Sequence, residues 1–368
     1  MQTKSHLWRD FDFILLGAIV LLMIIGILFI RSATLDAVDP DLINRTPSQI
    51  QYAIVGLIVL LVIASIDYRL LGSIHGFLYG FILFILGLVA ILGAVGAAGA
   101  QSWLNVGLQV QPSELAKILL VVTLGQFLAD RYEDMGRLRT VLLSLGYVAL
   151  PTFMIFVQPD LGIATVIAFV WFVMVWAAGL RLRHLAMFMV AGILMLPILW
   201  QGMEGYQRQR IVSFAFPGSD KDAQYNIDQA LISIGSGGVA GKGYANGSQT
   251  RGRFLRVRHT DFIYSVIAEE TGFIGATTVI GLMGVVIWRC LRGAALAADA
   301  LGSLICYGVG GMIFFQTMVS IGMNLSILPV TGLTLPFVSS GGSSLITMMM
   351  GVGLVESVIM RHRAREFA

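Results

Sequence analysis

The chain has 368 residues, of which 57% are hydrophobic and 12% charged, with a mean hydropathy of +0.83 and a formal net charge of +3. A soluble domain carries about twice that fraction of charge, so a water-soluble globular enzyme is excluded. The basic residues sit in the gaps between apolar runs, on membrane faces, which excludes a nucleic-acid-binding module, and the two cysteines, Cys290 and Cys306, form no metal or disulfide pattern and read as apolar side chains.

A bilayer core about 30 Å thick takes about 20 apolar residues to cross as a helix. The first such run, 11–30, is followed by Arg31-Ser32-Ala33-Thr34-Leu35-Asp36, which offers no small-residue cleavage site, so it is expected to remain as a membrane helix. Runs over 50–66 and 77–95 follow. The fourth, 112–129, opens with Gln111-Pro112-Ser113-Glu114-Leu115-Ala116-Lys117. Pro112 suits a first helical turn, and Glu114 and Lys117, three apart, share one helical face. A charged pair inside a span is a functional candidate by default; an ion pair that only orients helices is the other reading. The fifth and sixth runs, 141–157 and 162–180, are joined by Gln158-Pro159-Asp160, and the seventh covers 185–200.

Residues 201–260 break the pattern with Arg208, Arg210, Lys221, Lys242, Arg251, Arg253, Arg256 and Arg258. A connection this long is uncommon and is functional or disordered. The apolar stretch 230–234 and the glycine run 235–243 argue against full disorder and predict short helices at the membrane surface. The glycine run lacks the spacing of a phosphate-binding P-loop; a close-packing loop is its alternative. Arg258-His259-Thr260-Asp261-Phe262 then leads into the eighth run, 262–287. Asp261 is a candidate general base or a helix N-cap. Desolvation would raise its pKa, and the flanking Arg258 and His259 cations would lower it. Glu269 and Glu270 lie two turns further in. The ninth run is 301–323, and Leu335-Pro336-Phe337-Val338-Ser339-Ser340-Gly341-Gly342-Ser343-Ser344 precedes the tenth, 344–360. That stretch suits either a cavity lining, where irregular backbone is tolerated at membrane depth, or a tight turn against neighbouring helices.

Orientation follows from the cations of the short loops. Lys4, Arg9, Arg69, Arg131, Arg137, Arg139, Arg181, Arg183, Arg289, Arg292, Arg361, Arg363 and Arg365 all fall on one side, which makes both termini cytoplasmic. The expected fold is an all-α polytopic membrane protein: a single integral-membrane domain over 1–368, about ten transmembrane helices, and one large extracytoplasmic loop over 201–260.

The ordered set of motifs resembles the SEDS family (shape, elongation, division and sporulation) of bacterial cell-wall synthesis. The resemblance rests on Tyr206-Gln207-Arg208-Gln209-Arg210, the run 235–243, His259-Thr260-Asp261-Phe262 with Ala268-Glu269-Glu270-Thr271-Gly272, Leu328-Pro329-Val330-Thr331-Gly332 and Gly341-Gly342-Ser343. Trp103-Leu104 ahead of Gln111 fits as well. Departures are Leu255-Arg256-Val257, where the family often has Leu-Pro-Glu, and the missing tyrosine before Gly341. The elongation branch fits best, and the stretch 331–336 leans toward the division branch.

The resemblance implies a peptidoglycan glycosyltransferase of the bacterial cytoplasmic membrane that polymerises lipid II into β-1,4 glycan strands on its outer face. Its implied partners are a class B penicillin-binding protein and other membrane proteins of the elongation complex. It puts the catalytic role on Asp261. Substrate contacts are then expected from Lys117, Glu114, Arg210, Arg208, Lys242, Gln111, Trp103, His259 and Ser343. A divalent cation, Mg or Mn, at the pyrophosphate is compatible with this chemistry, though no ligand cluster demands it. A lipid II flippase and a non-catalytic scaffold for the penicillin-binding protein are the alternatives.

Overall fold

The computed structural model describes residues 7–35, 40–92, 94–95, 101–105, 109–158, 160–252, 254–255 and 258–362. Lys4, Arg253, Arg256, Arg363 and Arg365 lie outside them. In chain order the elements are α1 (Phe13–Thr34), α2 (Pro40–Ile43), α3 (Arg45–Ser65), α4 (Tyr68–Ser73) and α5 (His75–Leu92). A small ribbon follows, with β1 (Ala94–Val95), β2 (Gln101–Asn105) and β3 (Gln109–Val110). Next come α6 (Pro112–Ala129), α7 (Leu138–Val157), α8 (Leu161–Ala177), α9 (Leu182–Gly202), α10 (Gly205–Ala215), α11 (Lys221–Gly237), α12 (Ser248–Arg251), α13 (Ile263–Leu296), α14 (Ala300–Asn324) and α15 (Gly342–Ile359).

Seven of these helices are long and apolar enough to cross a membrane: α1, α3, α6, α7, α13, α14 and α15. Three shorter apolar helices, within α5, α8 and α9, occupy the positions of the other expected spans. This is an integral membrane protein. Its helices are apolar on more than one face, as lipid-embedded helices must be: α9 leaves Met189, Ile193 and Leu194 exposed, whereas α6, α14 and α15 are largely buried at the centre. α15 packs on α3, and α14 packs on α13, α8 and α6.

Two elements depart from a plain helix count. The ribbon pairs antiparallel in the order β1-β2-β3, with Leu104 opposite Val110 and Asn105 opposite Gln109. It leads straight into the Pro112 turn of α6. The other departure is a kink in α13 at Gly272, which sits at φ +67°, a region that L side chains avoid.

That kink explains the glycine run. The backbone N–H groups of Lys242 and Gly243 donate to the carbonyls of Glu269 (3.1 Å) and Glu270 (2.9 Å). Phe273 and Ile274 N–H donate in turn to Gly238 (2.9 Å) and Val239 (3.2 Å). The loop thus supplies the hydrogen bonds that the broken helix cannot make for itself. Cβ atoms would collide here: one on Gly241 would stand 2.2 Å from the Glu270 carbonyl oxygen, and one on Gly272 would stand 2.3 Å from Gly241 N. The run 238–243 is therefore a close-packing latch, and the N–H groups of Lys242 and Gly243 are spent on α13 instead of a phosphate. Around it α10, α11 and α12 form the short helices expected of residues 201–260.

Candidate active site

Asp261 stands one residue ahead of the N-cap of α13, which is Phe262 and has no side-chain cap bond. The carboxylate is therefore not spent as a cap. It interacts with the Thr260 side chain and with the charge of Arg210. Burial pushes its pKa up, and Arg210 and then Thr260 oppose the rise. The flanking residues do not supply the positive charge. His259 is depressed to about 4 by burial and by the charges of Arg45 and Arg258, so it is neutral at neutral pH. Arg258 is buried and donates to the carbonyls of Ala33 (2.5 Å) and Leu255 (3.3 Å). The cation that faces Asp261 comes instead from α10.

α10 begins with a capping box in which Glu204 and Gln207 exchange bonds with each other's backbone, and this fixes the helix start. Arg208 and Arg210 are two residues apart and so point to opposite sides. Arg208 turns back to the Gln201 carbonyl at 2.7 Å. Arg210 lies toward the loop after α14, where a Cβ on Gly332 would be 3.8 Å from its Nη1.

The second cluster lies at the N-terminal end of α6. Lys117 Nζ is 2.7 Å from Glu114 Oε2, with side chains 1% and 8% exposed. Neither atom makes a hydrogen bond of good geometry, so the contact is a nearly dry ion pair. Asp160 joins it. Its Oδ2 accepts from Gln111 Nε2 (2.8 Å) and Ser113 Oγ (3.3 Å), while its Oδ1 caps α8 at Ile163 N (3.1 Å). Burial raises the Asp160 pKa, and of the two charges of the pair Glu114 adds to the rise while Lys117 opposes it. Sequence reasoning passed over Asp160 because Gln158-Pro159-Asp160 reads as a joint between spans. The available signal was a carboxylate at the start of the sixth apolar run, on the same side of the membrane as Glu114.

The segment between α14 and α15 ties the two clusters together. Beyond Arg210 at Gly332, Leu333 and the Thr331 carbonyl press on Gly162, where a Cβ would be 3.1 and 3.2 Å from them. Ser343 Oγ accepts from Gln111 N at 3.1 Å. The turn at 335–341 reaches the stretch before Asp261: Ser339 Oγ donates to the Thr260 carbonyl (2.8 Å), and Ser340 N donates to the His259 carbonyl (3.1 Å). Gln49 of α3 holds that turn through the Ser339 carbonyl and Gly341 N, each at 3.3 Å. Phe337, at φ +63° and buried, marks the strain of the re-entrant backbone.

Of the expected site residues, Asp261 and Arg210 come together, and Glu114, Lys117, Gln111 and Ser343 form the neighbouring group. Lys242 is committed elsewhere: its Nζ reaches Ser236 and Ser248 Oγ (2.7 Å each) and Glu269 Oε1 (3.1 Å). Trp103 lies on β2, and its side chain is outside the described residues. Among the described residues no group of three His, Cys, Asp or Glu side chains is placed to hold a metal, so no step below is routed through one. Cys290 and Cys306 are buried free thiols.

A desolvated carboxylate facing a guanidinium, beside a second polar group with a buried ammonium, suits proton abstraction next to an anionic leaving group. Comparison with known proteins agrees. Residues 12–364 match the FTSW_RODA_SPOVE family of cell cycle proteins. Peptidoglycan glycosyltransferase MrdB of Escherichia coli K12 is 35% identical over 358 residues, covering 96% of this chain and 95% of that protein. Stage V sporulation protein E of Bacillus subtilis 168 is 35% identical over 361 residues, with 94% and 96% covered. A chain solved in work on the structural coordination of polymerization and crosslinking by a peptidoglycan synthase complex superposes with a TM-score of 0.83 at 32% identity, over 98% of this chain and 100% of that one. The crystal structure of the Thermus thermophilus rod shape determining protein RodA superposes with a TM-score of 0.71 at 32% identity, over 98% and 99%. The chain belongs to the FtsW, RodA and SpoVE family, the SEDS proteins that its motifs resemble.

Proposed function

We propose that this protein polymerises lipid II on the outer face of the bacterial cytoplasmic membrane, with Asp261 as general base. It is a peptidoglycan glycosyltransferase acting in cell elongation. The observation that carries the assignment is the desolvated Asp261 carboxyl facing Arg210, one residue outside a membrane helix. Asp261 accepts the proton of the acceptor sugar's 4-hydroxyl as that oxygen attacks the donor's anomeric carbon. The bond from that carbon to the pyrophosphate oxygen breaks, and attack from the opposite side turns an α-linked donor into a β-linked product. Negative charge grows on the lipid pyrophosphate, and fixed cations stabilise it without reorganising. Arg210 and Lys117 are the groups for this task, with Glu114 and Asp160 orienting Lys117.

Lys242 is held by Glu269 and supports the loop over α13. The basic short loops put both termini in the cytoplasm. A class B penicillin-binding protein cross-links the peptides of the product, and the membrane proteins of the elongation complex are the further partners. The polar groups sit at the outer helix ends, not near mid-membrane, which favours polymerisation over transport.

The test is polymerisation of labelled lipid II by the purified protein with its penicillin-binding partner, comparing wild type with Asp261→Asn. Polymer from wild type only is expected. Polymerisation by Asp261→Asn at the wild-type rate would remove the base assignment. Translocation of labelled lipid II in liposomes without polymer would favour the flippase.

A further inference from the structure

Three consecutive carbonyls lead up to α13, and each is held by a donor from a distant part of the chain. His259 O is held by Ser340 N, Thr260 O by Ser339 Oγ, and Asp261 O by Asn324 Nδ2 at 2.8 Å. The first two donors belong to the turn before α15. The third is the last residue of α14 and acts on residue 261 itself. Asn324 is fully buried. Its amide uses both ends twice: Nδ2 donates to the carbonyls of Asp261 and Ser320 (2.8 Å each), and Oδ1 accepts from Ser265 N (3.1 Å) and Ser265 Oγ (2.7 Å). A primary amide has two donor hydrogens and two acceptor sites, and all four are used here.

No other side chain of this size can make that set of bonds. Leucine has the shape and none of the bonds, and an ionised aspartate has acceptors where two donors are needed. The first turn of α13 has no side-chain cap of its own, so the amide from α14 does that work from outside. Fixing the Asp261 carbonyl fixes the backbone from which its carboxylate projects toward Arg210.

We propose that Asn324 is a positioning residue for the glycosyl transfer, setting the direction of the Asp261 carboxylate through its main-chain carbonyl. This rests on the assignment of Asp261 as base. Misplacing a reacting group by about 1 Å costs on the order of a hundredfold in rate. In Asn324→Leu, kcat for lipid II polymerisation falls about tenfold to a hundredfold, with KM unchanged within about twofold because no substrate contact is lost. Asn324→Asp keeps the size but sets a carboxyl oxygen where the two donors to the Asp261 and Ser320 carbonyls stood, so kcat falls there as well with KM unchanged, a split that a purely structural defect would not produce.

The experiment measures kcat and KM for the purified complex of each variant with its penicillin-binding partner, using equal amounts of intact complex. Wild-type kcat in Asn324→Leu or Asn324→Asp, or a loss confined to KM, overturns the proposal. If Asn324→Leu yields no intact complex, Ser265→Ala carries the test. It keeps Asn324 and the backbone bond but removes one of the two bonds on Asn324 Oδ1. A several-fold lower kcat at unchanged KM is expected there, and wild-type kcat overturns the proposal. Asp261→Asn in the same series keeps the two ideas apart. Polymer from it removes the base assignment, whereas an inactive Asp261→Asn beside unaffected Asn324 variants removes only the positioning role.

Discussion

The Glu114–Lys117 pair allows stability and activity to be separated. Both side chains are almost fully buried at 2.7 Å, so removing one partner strands the other charge in a low-dielectric interior, at a cost of about 3–5 kcal/mol. The two single variants should differ. Glu114→Gln leaves Lys117 with Asp160, whose charge it already feels, and should fall at or below the lower end of that range. Lys117→Met leaves Glu114 and Asp160 as neighbouring carboxylates without a cation and should reach the upper end. The double variant Glu114→Gln/Lys117→Met removes both charges, and replacing a buried pair by neutral side chains is often neutral or stabilising by about 1–4 kcal/mol. Its stability should therefore return to at least the wild-type level while polymerisation stays lost, because the cation facing the pyrophosphate is gone. Thermal unfolding of the detergent-solubilised protein and lipid II polymerisation are the two assays. A double variant as unstable as Lys117→Met would refute the desolvation argument. A double variant that polymerises lipid II would refute the role of Lys117.

The other predictions address separate parts of the site. Arg210→Gln removes the cation facing Asp261 and so raises the base's pKa further; the acid limb of the rate profile should move up in pH, and an unmoved limb with normal rate would show that Arg210 acts on neither base nor leaving group. Gly272→Ala places a Cβ 2.3 Å from Gly241 N at φ +67°; limited proteolysis of the intact protein should then cut within 238–252 faster than in wild type, and unchanged cleavage would mean the latch does not depend on the kink. His259, depressed to about 4 by burial, is neutral in the folded state and charges more readily when unfolded. Its contribution is full above about pH 6.5 and is lost as pH falls toward about 4, at about 1.4 kcal/mol per pKa unit. His259→Gln should flatten the loss of stability across that window, and an equally steep loss would place its cause in other groups.

The spans were readable because bilayer thickness imposes a length that composition alone reveals. α6 starts at Pro112, as a proline at a first turn predicts, and α3, α7 and α14 begin within a few residues of their expected starts. The ribbon was not readable: its strands have two, five and two residues and no sustained polar–apolar alternation. Within the site, Glu114 and Lys117 were legible from helical spacing, whereas the place of Asp261 before an apolar run suits an N-cap as well as a base, and only the family resemblance singled it out. The partners of Arg210, Lys242 and Arg258 were not, because each is decided by a fold-back of distant chain. Lys242 and Arg210 both looked like loop cations; packing against Glu269 takes one and leaves the other beside Asp261. Asn324 gave no signal at all, since a single amide at the end of an apolar run is ordinary until its four bonds are seen.

The main chain leading to Asp261 is held by residues from opposite ends of the chain. Gln49 acts through the turn at 335–341, and Ser339 and Ser340 are made after nine of the ten apolar helices. A ribosome delivering this protein to the membrane completes Asp261 long before the groups that aim it. A chain that ends before Ser339 would therefore carry Asp261, Arg210, Glu114 and Lys117 without the donors that hold the main chain at residues 259 and 260, and on the proposed mechanism it would make no polymer.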